Sequence, residues 1–151
     1  MRILVQRVRE ARVTVAEDTV AAVGKGLLVF LGIARTDATA DADYLLEKLL
    51  GLRIFPDDAG KMNRNVSEAG GSLLIVSQFT LYGDCRRGKR PSFDRAAPPE
   101  QALALYNYFV KSAAEGKVPV ETGVFQAHMR VTLSNDGPVT ILIDSEERKQ
   151  R

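Results

Sequence analysis

The chain has 151 residues, of which 45% are hydrophobic and 26% charged, and it reads as one soluble globular domain long enough to bury a core. A single cysteine, Cys85, and a single histidine, His128, exclude an internal disulfide, cysteine-based zinc fingers and metal sites built on two or more histidines. The formal net charge of +2 is too small to mark a nucleic-acid binder, so any such case rests on where the basic residues cluster.

Residues 2 to 33 read as a β meander: RILVQRVR, RVTVA, a turn near Glu17-Asp18, DTVAAV, then GLLVFLGI after Gly24-Lys25-Gly26. The last run is almost wholly apolar, as expected of a strand covered on both faces. From Asp41 to Leu52 the spacing of Leu45, Leu49 and Leu52 predicts a helix, capped at Thr36, Asp37 or Thr39. A short strand near Arg53-Ile54-Phe55 is followed by a polar loop over residues 56 to 71 and the strand SLLIVSQF.

A second loop, YGDCRRGKRPSFDRAAP, precedes a helix from Pro99 to about Ala114, with Pro98-Pro99 suited to its start. Ala102, Leu105, Tyr106, Phe109 and Val110 recur at helical spacing and are expected to face the sheet. Then come a short strand at VPVET, the run AHMRVTLS, in which His128, Arg130 and Thr132 alternate with Met129, Val131 and Leu133, and the strand PVTILID. The expectation is a single α/β domain over residues 1–145, mixed β-sheets with helices packed on one side, and a frayed charged tail over 146–151.

No apolar run reaches the length of a membrane span, and MRILVQRVRE carries charges where a signal peptide needs its apolar stretch, so a cytoplasmic protein with no membrane partner is expected.

Candidate chemistry concentrates in three places. SQFTLYGD, residues 77 to 84, ends an apolar strand in a Ser, Gln and Thr cluster beside Phe79. Strand ends of this kind bind ligands through free backbone N–H groups, or they simply turn polar as they surface. Neither hydroxyl has a histidine or lysine nearby in sequence to activate it. The run CRRGKRPSFDR gathers Arg86, Arg87, Lys89, Arg90 and Arg95 around Gly88, with Phe93 interleaved. A solvated loop is the default for such a run, but its place directly after SQFTL tips the reading toward phosphate contacts, with Arg86, Arg87, Lys89 and Arg90 as the candidate tRNA-binding residues and an aromatic to stack on a base.

The third place is SNDGPVTILI, where Asn135-Asp136-Gly137 is turn chemistry but Pro138 removes a backbone donor at the start of the next strand. Either a turn happens to contain proline, or Gly137-Pro138 is a cis step that aims carbonyl oxygens at a ligand, an arrangement that binds an ammonium group. His128 falls on the polar face of its strand and reads as a surface histidine. Cys85 reads as a loop thiol among cations.

SQFTL at 77 to 81 and NDGPVT at 135 to 140 together resemble the two signature motifs of the D-aminoacyl-tRNA deacylases. Matches run the whole chain: VQRV at 5 to 8, GLLVFLGI at 26 to 33, KMN at 61 to 63, GKRPSF at 88 to 93, and TGVF with Met129. The resemblance implies a homodimer with active sites at the interface, in which the carbonyls of Gly137 and Pro138 reach into the partner's site. There they capture the α-amino group of the 3′-terminal aminoacyl ester and exclude an L side chain. Glycine, having no side chain, would escape exclusion.

It further implies that Ser77, Gln78, Phe79 and Thr80 surround the scissile ester, with the Phe79 N–H facing its carbonyl oxygen. The terminal adenosine's 2′-hydroxyl, rather than a Thr80 nucleophile, assists attack by water, and no metal or organic cofactor takes part. Met129 matches a pocket-lining methionine and Arg7 an arginine that holds the Gly-Pro orientation. Gln126-Ala127-His128 departs from the family's small residue followed by Ala-Asp, which bears on pocket shape and substrate preference. The competing expectations are an editing deacylase for misacylated achiral or L-aminoacyl-tRNA, which would use a trans Gly-Pro, and a non-catalytic tRNA-binding module.

Overall fold

The computed structural model describes residues 1–150. Its organising element is β1 (Arg2–Val15), one long strand where the sequence suggested two short ones. One edge of β1 pairs antiparallel with β8 (Met129–Asp144) from end to end. The other edge is shared: β3 (Gly26–Gly32) pairs with Arg2 to Val8, and β2 (Asp18–Val23) with Ala11 to Val15. β6 (Ser72–Ser77) then lies parallel to β3, and β7 (Val120–Thr122) parallel to β6.

Parallel neighbours require crossover connections, and the two crossovers carry α1 (Thr39–Gly51) and α2 (Pro99–Ala114). Both helices cover one face, giving the expected mixed α/β domain. A separate two-stranded hairpin of β4 (Phe55–Pro56) and β5 (Met62–Arg64) occupies part of the stretch expected to be plain loop.

Strand alternation divides the core in two. Ile3, Val5, Leu27, Val29, Leu31, Leu73 and Ile75 face the helices, which supply Leu45, Leu49, Leu105, Tyr106 and Phe109. Leu28, Leu74 and Val76 point the other way and meet Val8, Ala11, Val13 and Ala21, because β2 folds back against β6 and β7. The unbroken apolar run of β3 follows from this, since both its faces are covered. Each such fully buried side chain contributes about 1.5–3 kcal/mol of transfer free energy.

α2 begins as its sequence requires, with Pro98 at the cap and Pro99 at the first helical position, where a missing N–H costs nothing. α1 departs from expectation. Its cap is Ala38, whose N–H donates to the Asp41 carboxylate at 3.0 Å, and Thr39 is already helical. Asp37 is engaged elsewhere: it accepts the Ala34 N–H at 2.6 Å and the Met1 ammonium at 2.6 Å, buried on both sides of the pair.

The tail is also more ordered than a frayed end. Residues 145–150 form 3-10 turns, Ser145 is buried, and Glu146 pairs with Arg95 at 2.6 Å. Glu146 and Arg148, which donates to Ala40 O at 3.1 Å, attach this end to the domain, and Arg151 lies outside the described residues.

The largest correction concerns residues 129 to 144. AHMRVTLS and PVTILID are not two strands joined by a hairpin turn but one strand, β8, facing one partner. Gln6 pairs with Thr140 and Val8 already with Asn135, so residues 136–139 bulge out of the ladder. Asn-Asp-Gly-Pro serves as a bulge because β1 continues past it, which a reading of local turn chemistry cannot see.

Candidate active site

β6 delivers SQFTL to the sheet's end. The Gln78 N–H still bonds to Leu31 O at 2.8 Å, extending the β3–β6 ladder by one step, and the chain then winds into a 3-10 turn, Phe79–Tyr82. That turn begins beside a cleft of about 760 Å³ lined by Ser77, Gln78 and Phe79 on one side and by Phe125, Gln126, His128 and Met129 on the other. Ala96, Ala97 and the Pro98-Pro99 start of α2 form a third wall, with Arg35 at the rim.

The walls are largely apolar. Phe79, 56% exposed, meets Phe93 edge-to-face with ring centres 5.0 Å apart. Met129 lies against Gly123, where an added Cβ would come within 2.7 Å of its sulfur, so the glycine of TGVF makes room for the methionine. Gln126 holds φ at 62°, a left-handed conformation costly for a side-chain-bearing residue, and this explains why a small residue would sit there more easily.

Thr80 lies just outside the lining. Its hydroxyl accepts a hydrogen bond from the Gln78 side-chain amide, and the side chain is exposed. Among the described residues no imidazole, amine or carboxylate bonds to it, so its hydroxyl is oriented but not activated. The 3-10 turn leaves the first N–H groups, of Phe79 and Thr80, without partners inside the turn. His128 is exposed, as expected of a surface histidine, but its surface is the cleft wall.

The second motif is built at the β8 bulge. The Gly137-Pro138 peptide is cis and both residues are exposed. Gly137 has φ 139°, and a Cβ there would approach Val139 Cγ2 at 2.8 Å and Arg7 Nη2 at 3.1 Å, so glycine is required on two counts. Arg7, with only 12% of its side chain exposed, donates from Nε to Asp136 O at 2.9 Å and from Nη1 to Ile54 O at 2.5 Å. Asn135 spans the bulge: its Oδ1 accepts the Val139 N–H and its Nδ2 donates to Val139 O and Thr140 Oγ1. Two side chains thus replace part of the bonding the ladder loses, at Asp136 O and at the Val139 N–H and carbonyl.

Residues 4–144 match the family model described as D-Tyr-tRNA(Tyr) deacylase. The chain belongs to that family. Similar sequences include a protein of Solibacter usitatus, 62% identical with both chains covered completely, and one of Thermotoga petrophila, 58% identical over 97% of this chain and 99% of that one, each named D-aminoacyl-tRNA deacylase. Among solved structures, one titled c-Myc DNA Unwinding Element Binding Protein is 39% identical with a TM-score of 0.91, covering 95% of this chain and 98% of its own. A probable eukaryotic D-amino acid tRNA deacylase, 20% identical with a TM-score of 0.79 and the same coverage of each chain, shares the fold.

Within this deacylase-family chain the sequence-predicted residues fall into two groups. Ser77, Gln78, Phe79 and Met129 share the cleft, with Thr80 beside it; Arg7, Gly137 and Pro138 form the bulge and do not line it. Between Met129 and Gly137, β8 runs roughly 25 Å at ~3.3 Å per residue. Sequence reasoning missed Arg35, the stapling role of Asn135 and the apolar wall from Ala96 to Pro99. Only the Pro-Pro step offered a signal for that wall, and it was read as a helix start alone.

Proposed function

We propose that the chain is a homodimeric, cytoplasmic D-aminoacyl-tRNA deacylase that hydrolyses the ester to free tRNA and a D-amino acid. The observation that supports this reading is the separation of the cleft from the Gly-Pro bulge within one chain of this family. A cleft suited to an ester and an aromatic group lies at the end of β6, and a rigid, exposed Gly-Pro bulge lies far along β8. A second copy brings them together. The dimer reading is further supported by the face of the sheet away from the helices, where Phe30, Leu4 and Leu142 stand in register across three strands and Leu142 is 58% exposed.

In the assembled site the carbonyl oxygens of Gly137 and Pro138 accept hydrogen bonds from the substrate ammonium group, and the backbone crowds the position an L side chain would take. Selection acts by exclusion, so glycyl-tRNA is also hydrolysed. At the other half-site the Phe79 N–H stabilises the developing oxyanion, a donor placed before the reaction and needing no reorganisation. Gln78 orients Thr80. Water attacks with assistance from the 2′-hydroxyl of the terminal adenosine, and no metal or organic cofactor enters.

The test is deacylation of D-tyrosyl- and L-tyrosyl-tRNA by the purified chain with EDTA present. Loss of the D-ester alone is the expected result. Cleavage of the L-ester at a similar rate moves the reading to an editing deacylase of the other kind. Binding of tRNA with neither ester cleaved replaces it with a non-catalytic module.

A further inference from the structure

The loop CRRGKRP is a hairpin arm rising from the cleft wall. Asp84 and Ser92 exchange two backbone hydrogen bonds, at 2.8 and 3.0 Å, and so close its base. One residue further on, Phe93 packs on Phe79 of the cleft. At the tip Gly88 adopts φ 66°, and nothing lies within 4 Å of where its Cβ would be, so the arm stands free in solvent.

Its cations are not equivalent. Arg86 folds back on Asp84, whose carboxylate accepts from Arg86 Nε and Nη2 and from the Arg86 N–H. Arg95 is taken by Glu146 at 2.6 Å. Among the described residues Arg87, Lys89 and Arg90 form no ion pair, and all three are exposed. Arg35, also without an ion pair there, stands at the cleft rim with its Nε donating to Asp94 O at 2.7 Å and its remaining guanidinium donors unspent.

We propose that this arm, through Arg87, Lys89 and Arg90, grips the phosphates of the tRNA acceptor strand that lead to the terminal adenosine, with Arg35 taking the phosphate nearest the cleft. Arg86 is excluded from contact and serves with Asp84 to set the arm's base. This deepens the deacylase reading and rests on it for the identity of the RNA. The partner is a polyanion because the free charges are of one sign and in sequence, and it is a strand ending in the cleft because the arm's base adjoins the cleft lining at Phe93. Phosphate contacts position without reading bases, so the arm supplies affinity common to many tRNAs.

The experiment compares the wild type, the triple variant Arg87→Ala/Lys89→Ala/Arg90→Ala, and a charge-matched variant, Lys48→Ala/Lys111→Ala/Lys117→Ala, with changes away from the arm. Three quantities are read across a salt series: kcat and KM for D-tyrosyl-tRNA, the same constants for the D-tyrosyl ester of adenosine alone, and direct binding of uncharged tRNA. The arm variant is expected to raise KM for the tRNA ester at least about tenfold and flatten the log K against log salt slope by about 2, at ~0.7 per lost single-strand phosphate contact. The adenosine ester, which has no such phosphates, is expected to show no comparable change.

An arm variant that binds uncharged tRNA with the wild-type affinity and slope overturns the proposal. So does equal weakening in the charge-matched variant, which would reduce the effect to net charge. Failure of the deacylase reading is a separate result: neither ester is cleaved by the wild type, while the uncharged-tRNA arm still decides whether these cations grip RNA.

Discussion

Asn135 closes the bulge of β8 onto Val139, its Oδ1 accepting the Val139 N–H at 2.8 Å and its Nδ2 donating to the Val139 carbonyl at 3.3 Å. These bonds replace ladder bonds that β1 does not supply there. Asn135→Ala strands a partly buried N–H and carbonyl and is expected to cost about 1–3 kcal/mol. Asn135→Asp keeps the acceptor, loses the donor and falls between. Urea unfolding measures the cost, and the ratio of D- to L-ester hydrolysis measures the slackened bulge; an unchanged ratio in the alanine variant would show that Asn135 does not position Gly137 and Pro138.

The placement of the two motifs in separate regions makes the dimer testable by complementation. A chain with Gly137→Val retains its cleft, and a chain with Ser77→Trp, which fills the cleft, retains its bulge. Each homodimer is expected to be inactive. Random mixing yields one intact composite site in each heterodimer, so activity returns to about a quarter of wild type if exchange is complete. No recovery in heterodimers isolated by two different tags would place both motifs of a working site in one chain.

Tyr82 carries a hydroxyl with no hydrogen-bond partner among the described residues, although the residue is only 2% exposed. The guanidinium groups of Arg2 and Arg95 lie 4.5 and 5.5 Å from the centre of its ring. Burial, and then the nearby Asp37 carboxylate, pushes its phenol pKa well up, so it stays neutral. Tyr82→Phe keeps the stacked ring and removes the orphaned polar atom, so thermal stability is expected to hold or rise by up to about 1 kcal/mol. Tyr82→Ala empties the same space and is expected to cost about 3–5 kcal/mol. A loss above about 1 kcal/mol in the phenylalanine variant would reveal a partner for the hydroxyl.

Asp84 is held down to about 2 by its side-chain and backbone hydrogen bonds with Arg86, against an ordinary value of 3.8. Its folded pKa lies below its unfolded one, so the stabilisation is present above pH 3.8 and is lost as pH falls toward about 2. Carboxyl-carbon NMR of the folded chain is expected to give Asp84 a midpoint near 2, returning toward 3.8 in Arg86→Ala. A midpoint near 3.8 in the wild type would mean that the pair at the base of the arm does not persist in solution.

Much of this architecture was legible because it is local. Pro98-Pro99 and the apolar spacing through Val110 located α2, and the unbroken apolar run at GLLVFLG implied a strand with two covered faces. What escaped was set by distant partners. Asn-Asp-Gly-Pro has the composition of a turn, and only the continuous pairing of β8 with β1 makes it a bulge. Asp37 looked like a helix cap until the Met1 ammonium claimed it, leaving Ala38 at the cap. The resemblance already implied that the two motifs of one site come from different chains, but how far apart they lie in one chain was not legible, since distance along a strand appears only once the strand is known to be continuous.

Thr80 is the residue most easily mistaken for a nucleophile. Its hydroxyl is tied to the amide of Gln78, which can donate to it but cannot remove its proton, and among the described residues no base bonds to it. Thr80→Ala is therefore expected to retain kcat within about tenfold, whereas loss of a true nucleophile in an activated site costs on the order of a millionfold. A substrate whose terminal adenosine lacks the 2′-hydroxyl tests the complementary half: its hydrolysis is expected to fall by at least about a hundredfold, the usual range for a lost proton-transfer partner. Collapse of Thr80→Ala with the ribose substrate, together with unimpaired hydrolysis of the deoxy substrate, would transfer the chemistry from the RNA to the protein.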